Sequence, residues 1–384
     1  WRIALPLLAL VVFGFLQFLP FGAASQFKPP TLSLDPQATK EATIKLLSLT
    51  IYFIASLHTL RQSERRKKLL TVLTVFGFAV SLFAILQRLT SNNKLYWVRP
   101  VSPYIAFYGP FGNYNHFAGM IELILPLPLA YLLFTRINFE QRLLWLFSVV
   151  MMTVAIVFSI SRGGMLALGA EVLALMLIAA VVRRRSKDAA EHRAMAGSKL
   201  MLGGAAAAVL LLALWIGFEP IVKRFGSLRE GKGEYSVVTR TEYWRGAWQM
   251  FMDHPLTGVG LGAFPTAYPA YGHSSVKNER LEQTHNDYLQ LLTDAGLIGG
   301  LIGLWFLFEL IRILRQQLRH FHQTRSFDRA MMVGGYVAML GIGIHSFLDF
   351  NLQIAANALL FLLVVALATT VNFMSGDERF SQNS

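Results

Sequence analysis

Three side chains in this sequence join reactive chemistry to unusual placement: His285, Arg240 and Arg162. His285 stands in Thr284-His285-Asn286-Asp287-Tyr288-Leu289-Gln290, which has the pattern of a helix start. Thr284 is the expected N-cap, and Asp287 sits three residues on, where a capping-box side chain reaches back. That places His285 in the first turn. The positive potential of a helix N-terminus disfavours an imidazolium, so a neutral ring able to act as general base is expected. The competing reading is a histidine that only bonds a backbone carbonyl.

Arg240 belongs to a stretch, 236–253, that predicts an amphipathic helix. Arg240, Trp244, Ala247, Trp248 and Phe251 recur on one face, and Pro255 with the glycines of 257–262 ends it. A guanidinium on a covered face needs an anion or several hydrogen bonds. The alternative is a loop carbonyl, or a chain that snorkels to water. Arg162 lies in Ser161-Arg162-Gly163-Gly164, a tight turn before a helix expected from about Gly164. A helix N-terminus with an arginine fork suits a phosphate, and two glycines would let a ligand approach the backbone. An interfacial anchor is the plainer role.

Two further polar stretches could line a cavity or simply cap helices. One is Gly112-Asn113-Tyr114-Asn115-His116, ahead of a span holding Glu122, Pro126 and Pro128. The other is His345-Ser346-Phe347-Leu348-Asp349-Phe350-Asn351. His116, His345 and Asp349 lack close metal-ligand spacing, so no metal site is expected. Glu122 and Glu171 fall inside spans, where carboxylates are functional candidates by default, including for proton-coupled transport.

The elements that must position these residues are membrane spans. The 384-residue chain is 54% hydrophobic and 15% charged, against about 25% charged in soluble domains. Ten stretches are long and apolar enough to cross: 1–19, 44–60, 69–86, 117–134, 143–160, 165–182, 200–218, 297–314, 331–345 and 355–371. The chain begins at Trp1 inside an apolar run and shows no cleavable signal peptide. The net charge of +13 gathers in alternate loops, at Arg61–Lys68, Arg136 and Arg142, Arg183–Lys199, and Arg315–Arg329. If spans alternate, these loops share the cytoplasmic side, and the charge needs no nucleic-acid partner. The opposite side receives the segment after Leu19, 87–116, 161–164, 219–296 and 345–353. Without cysteine the chain can form neither a disulfide nor a thiolate metal site.

The expected organisation is therefore all-α and polytopic. Residues 1–218 hold about seven spans, 219–296 form one large helical outer segment, and 297–384 hold about three spans and a short cytoplasmic tail. The outer segment carries Trp244, Trp248, Phe251, Phe264, Tyr268 and Tyr288, enough apolar surface to fold.

Several stretches together resemble the bacterial O-antigen ligase and polymerase family. Arg240 with Trp244 and the run 253–264 is similar to its outer-loop signature, and 284–290 with Gly296-Leu297-Ile298-Gly299 to its second. Ser161-Arg162-Gly163, 112–116 and 345–351 also look like stretches of that family. The resemblance covers about 107 to the last span. It implies a GT-C-like membrane glycosyltransferase in the bacterial inner membrane, with one or two further spans ahead of Trp1. Such enzymes pass a glycan as a block from undecaprenyl pyrophosphate to an acceptor hydroxyl at the periplasmic face. They use no metal, cofactor or nucleotide sugar. The acceptor is a lipid A core, a protein hydroxyl or a growing glycan; membrane lipids are the remaining partners. The family's catalytic histidine falls on His285 and its two pyrophosphate-contacting arginines on Arg162 and Arg240. Asn113, Asn115, His116 and Trp244 are candidates to line the substrate cavity. So are Asn286, Tyr288, His345 and Asp349. No paired outer carboxylates stand out, so a single inverting displacement is expected. A transporter or flippase using Glu122 and Glu171 would more often show repeated halves, and none is seen.

Overall fold

In lipid, backbone polar groups must be satisfied within the segment, so an apolar chain of this kind folds as helices. The computed structural model describes residues 2–21, 31–91, 94–100, 107–185, 234–272 and 281–371. It is 78% helical. In chain order the helices are α1 (Leu5–Phe18), α2 (Pro36–Thr59), α3 (Ser63–Thr90), α4 (Tyr114–Ile124), α5 (Pro126–Phe134) and α6 (Phe139–Ser159). There follow α7 (Arg162–Arg185), α8 (Glu234–Asp253), α9 (Phe264–Ala267), α10 (Asp287–Arg319), α11 (Ser326–His345) and α12 (Ala355–Thr369). The only sheet among the described residues is a two-residue hairpin, Lys94–Leu95 against Arg99–Pro100.

Seven helical segments among the described residues are long and apolar enough to cross a membrane, with α4 and α5 counted together as Tyr114–Phe134. Arg2–Phe18 and Ala355–Thr369 are shorter apolar helices. The remaining expected span, 200–218, lies outside the described residues. The chain is a multi-pass all-α membrane protein.

Contacts group the chain into two units. One comprises Trp1–Ser56, Gly226–Gln316 and Ser346–Leu359; the other Leu57–Phe225, Gln317–His345 and Leu360–Ser384.

In the second unit, the α4–α5 segment is the enclosed one, 94% buried over its apolar window. Apart from Asn115, His116 and Glu122 its buried residues are apolar, as in a helix surrounded by others. Pro126, which lacks an N–H, starts α5 after α4 closes at Leu125. α11 approaches closely there, since a Cβ on Gly334 would sit 2.8 Å from the Pro126 carbonyl oxygen. Arg66, expected as a loop cation, is instead in α3 and 1% exposed. Its Nη2 meets Asp328 Oδ1 at 2.7 Å, and its Nη1 donates to the carbonyls of Leu60 and Arg61. The buried charge is thus fully partnered, as burial of an ion demands.

In the first unit, a small aliphatic and aromatic core forms between α8 and the stretch that follows. Ala247, Met250, Val259, Ala263, Phe264 and Tyr268 are its centre. The glycine-rich run 257–262 packs backbone to backbone against a break in α10. Gly258 (φ +66°) and Gly296 (φ +60°) both adopt left-handed angles, and a Cβ on either would overlap the other segment's backbone. Val259 N–H donates to Thr293 O at 2.9 Å and Leu297 N–H to Pro255 O at 2.8 Å. Gln17 of α1, wholly buried, completes the clamp. Its Nε2 donates to Thr257 O and Asp294 O, and its Oε1 accepts from Leu261 N–H.

Candidate functional site

In the first unit, α8 and the start of α10 place Arg240 and His285 on opposite oxygens of one carboxylate. Asp349 is 0% exposed. Its Oδ1 lies 3.3 Å from His285 Nδ1 and its Oδ2 3.9 Å from Arg240 Nη2. Phe350 N–H also donates to Oδ1, at 2.9 Å. The His285 and Arg240 side chains keep 25% and 28% of their surface accessible, so the carboxylate is sealed while its two partners reach outward. In the tautomer where Nδ1–H donates to Asp349, His285 Nε2 carries the lone pair.

His285 is held by rings as well. The Tyr243 ring is stacked on it at 6.2 Å and 21°, and Phe350 meets it edge-on at 4.8 Å. Tyr243 is one position from the Trp244 that sequence spacing favoured. The buried stripe of α8 is Gly246, Ala247, Met250 and Phe251, while Trp248 is 51% exposed. The stripe is rotated because Phe264 and Tyr268 supply the covering surface on that side. Trp244 turns its Nε1 to Thr284 O at 3.1 Å, tying α8 to the residue before His285.

The helix start differs from the expected one. Asn286, not Thr284, is the cap: its Oδ1 accepts from the N–H groups of Tyr288 and Leu289, both at 3.0 Å. Thr284 instead braces the turn, with Oγ1 donating to Asn286 O at 2.7 Å. His285 therefore lies before the helix, not in its first turn, with φ +54°. A non-glycine residue in that region is strained and persists only where its surroundings over-determine it. Asp287 links this turn to the loop bearing Asp349. Its N–H donates to Ser346 O, and its Oδ2 accepts from Ser346 Oγ at 2.8 Å and Leu352 N–H at 3.1 Å. Tyr288 is 44% exposed, its ring against Phe347 at 4.4 Å.

In the second unit, Arg162 opens α7 directly after a turn with its own strained residue, Ile160 at φ +59°. Ser161 Oγ accepts from Gly164 N–H and donates to Asn115 Oδ1 at 2.7 Å. Asn113 caps α4, accepting from Asn115 N–H at 2.8 Å, and His116 is buried in the first turn. His345 is 1% exposed rather than facing open space, its Nδ1 at 3.0 and 3.1 Å from the two oxygens of Glu122. Its ring explains a glycine: a Cβ on Gly163 would overlap it. A Cβ on Gly164 would lie 2.7 Å from Ala118 Cβ and 3.0 Å from Glu122 Oε1. The two glycines thus admit neighbouring side chains, where the sequence suggested a ligand. Glu171 is wholly buried against Gly341. Among the described residues no three His, Asp or Glu side chains gather as a metal site.

Residues 147–304 match the family model described as O-antigen ligase. Over that segment the chain is similar to the O-antigen ligase family. The matched segment contains Arg162, Arg240 and His285, and bears out the resemblance seen in the sequence. It supports a membrane enzyme of the O-antigen ligase or polymerase type. Asp349 and His345 lie beyond the ligase-family segment. A comparison with curated proteins gave no match.

Proposed function

We propose that this protein transfers a glycan as a block from undecaprenyl pyrophosphate to an acceptor hydroxyl, that of a lipid A core, at the periplasmic face of the bacterial inner membrane. The observation that carries this reading is the His285–Asp349–Arg240 arrangement: an imidazole oriented by a sealed carboxylate, beside an accessible guanidinium. His285 Nε2 takes the acceptor hydroxyl proton as its oxygen bonds to the anomeric carbon. The bond from that carbon to the pyrophosphate oxygen breaks, and its electron pair leaves on the lipid pyrophosphate. The result is one displacement with inversion. General-base assistance of this kind is worth about 10²–10⁴ in rate. Arg240 stabilises the charge growing on the pyrophosphate, as preorganised cations do. Arg162 takes the same role by its match to the family pattern. Asp349 acts through His285 and Arg240, fixing the ring tautomer and the fork. No metal or cofactor is part of the proposal. A polymerase extending a growing glycan, or a transferase to protein hydroxyls, would use the same residues on a different acceptor.

The test is reconstitution in vesicles with a lipid-linked glycan and each candidate acceptor, with and without chelator. Wild-type protein should couple the glycan to one acceptor, and His285→Ala should insert normally yet leave it on the lipid. Normal coupling by His285→Ala would remove the histidine from the mechanism. Loss of coupling on chelation would overturn the metal-free reading. Proton-driven glycan flux lost in Glu122→Gln would favour a transporter.

A further inference from the structure

Beside the Arg162 turn, within the second unit, lies a cavity of about 240 Å³. Arg88, Phe107, Tyr108, Tyr114, Phe158 and Ser159 line it, together with Ile160 of the strained turn. It is smaller than the roughly 300–1,000 Å³ pockets that enclose drug-sized ligands, so its size class is a single substituted ring.

The cavity is built, not incidental. Tyr108 sits on a short bridge with Phe111, and Gln87 of α3 pins that bridge by donating from Nε2 to Gly109 O at 3.0 Å. The Tyr108 ring packs edge-on against Phe117 at 4.8 Å, which leaves the residue 3% exposed. Its hydroxyl nevertheless has no hydrogen-bond partner among the described residues. A buried hydroxyl left unpaired costs stability, so a partner is called for. Burial pushes the Tyr108 phenol above its ordinary value, against the opposing effect of Arg88, so the group remains an O–H donor at neutral pH. Arg88, in the last turn of α3, is exposed and has no ion pair among the described residues. The lining thus combines four aromatic side chains, two of them phenols, with the Ser159 residue and one guanidinium fork. A lipid tail would need none of these polar groups, and a bare inorganic anion would need no aromatic wall.

We propose that this cavity is a subsite for an acidic sugar, a saccharide ring bearing a phosphate or carboxylate, with its ring on the aromatic faces and its anion on Arg88. The natural occupant, an acidic residue of the donor or acceptor glycan, rests on the transferase reading. The binding site itself does not.

Glucose 6-phosphate is a suitable probe, titrated onto the whole detergent-purified protein and followed by saturation-transfer NMR and thermal shift. Saturable binding is expected, weakened about tenfold or more by Arg88→Gln and less by Arg88→Lys, which keeps the charge but loses the fork. Tyr108→Phe should weaken binding while the ligand-free protein melts no lower, because the lost hydroxyl bonds to nothing. A purely structural tyrosine would not give that split. Binding unchanged in both Arg88→Gln and Tyr108→Phe would overturn the proposal. So would inorganic phosphate bound as tightly as the sugar phosphate, or displacement of the probe by phosphatidylglycerol nanodiscs but not phosphatidylcholine ones, which would mark a lipid-headgroup site. His285→Ala should retain probe binding. If that variant also retained glycan transfer, the transferase mechanism would fail while the subsite stood.

Discussion

Two turns in this protein carry an arginine or histidine at or near a strained residue, yet they differ in what braces them. At the His285 turn the functional side chain is itself left-handed, and polar contacts hold it: the Asn286 cap, the Thr284 brace, the Asp287–Ser346 links and the sealed Asp349. At the Arg162 turn the left-handed residue is Ile160, two positions upstream, and beyond the Ser161 bonds to Asn115 and Gly164 the support is steric. The His345 ring, fixed by Glu122, lies against the backbone of Gly163. A polar scaffold sets the direction of a lone pair or proton, which a general base requires. A steric scaffold sets where a backbone runs, which suffices for a cation that attracts an anion over several ångströms. The two turns should therefore fail in different ways.

The sharpest contrast is in rate. His285→Ala should lower glycan transfer about 10²–10⁴-fold with the protein still folded, as read by initial rates in vesicles and by thermal unfolding. Asp349→Asn keeps the side-chain volume but weakens the charge-assisted bond to Nδ1. A loss on the order of 10–100-fold is expected, in turnover more than in donor affinity. An effect of Asp349→Asn confined to affinity would show that the carboxylate serves Arg240 alone.

The Arg162 turn should respond in stability first. Gly163→Ala drives a methyl into the His345 ring and should destabilise by about 1–3 kcal/mol, measured by thermal unfolding in detergent. Combining it with His345→Ala should recover part of that loss. Strict additivity of the two changes would mean that the ring and the glycine do not constrain each other. Asn286→Ala removes a helix cap and should cost about 1 kcal/mol, visible as faster hydrogen exchange at the start of α10.

The smallest effect concerns pH. Tyr268, in the core behind the His285 turn, is pushed up to about 12 by burial, helped by Tyr243 and Glu242. A phenol held above its unfolded value of about 10 contributes stability that is fully present below pH 10 and is lost as pH rises through 12. Tyr268→Phe should flatten the fall in melting temperature between those limits. An unchanged alkaline limb would place the titration elsewhere.

Much of the helical framework was legible because burial in lipid imposes long apolar runs, and their lengths set the spans. Arg240 and His285 were legible as candidates through helical spacing and the family pattern, which singled them out among eight Lys or Arg and three His in the 219–296 segment. Helix boundaries at the site were less so. Thr284 and Asn286 are both good caps, and only the direction of the chain through Asp287 and Ser346 selects Asn286. The face of α8 was misplaced for a related reason: the segment is aromatic on more than one side, and the covering residues Phe264 and Tyr268 decide which side is buried.

By itself the sequence determined the helical, membrane-crossing character of the chain, the family pattern over 147–304, and the candidate arginines and histidine. Those properties are local: each depends on composition or spacing within a few tens of residues. The tertiary structure decided that Asp349, 64 residues from His285, is the group that orients it, and that His345, 223 residues from Glu122, belongs to the support of the Arg162 turn. It also turned Gly163 and Gly164 from an opening for a ligand into room for a ring. Such contacts follow from how helices pack, and a side chain's role as ligand, orienter or filler is set by the neighbours that packing supplies.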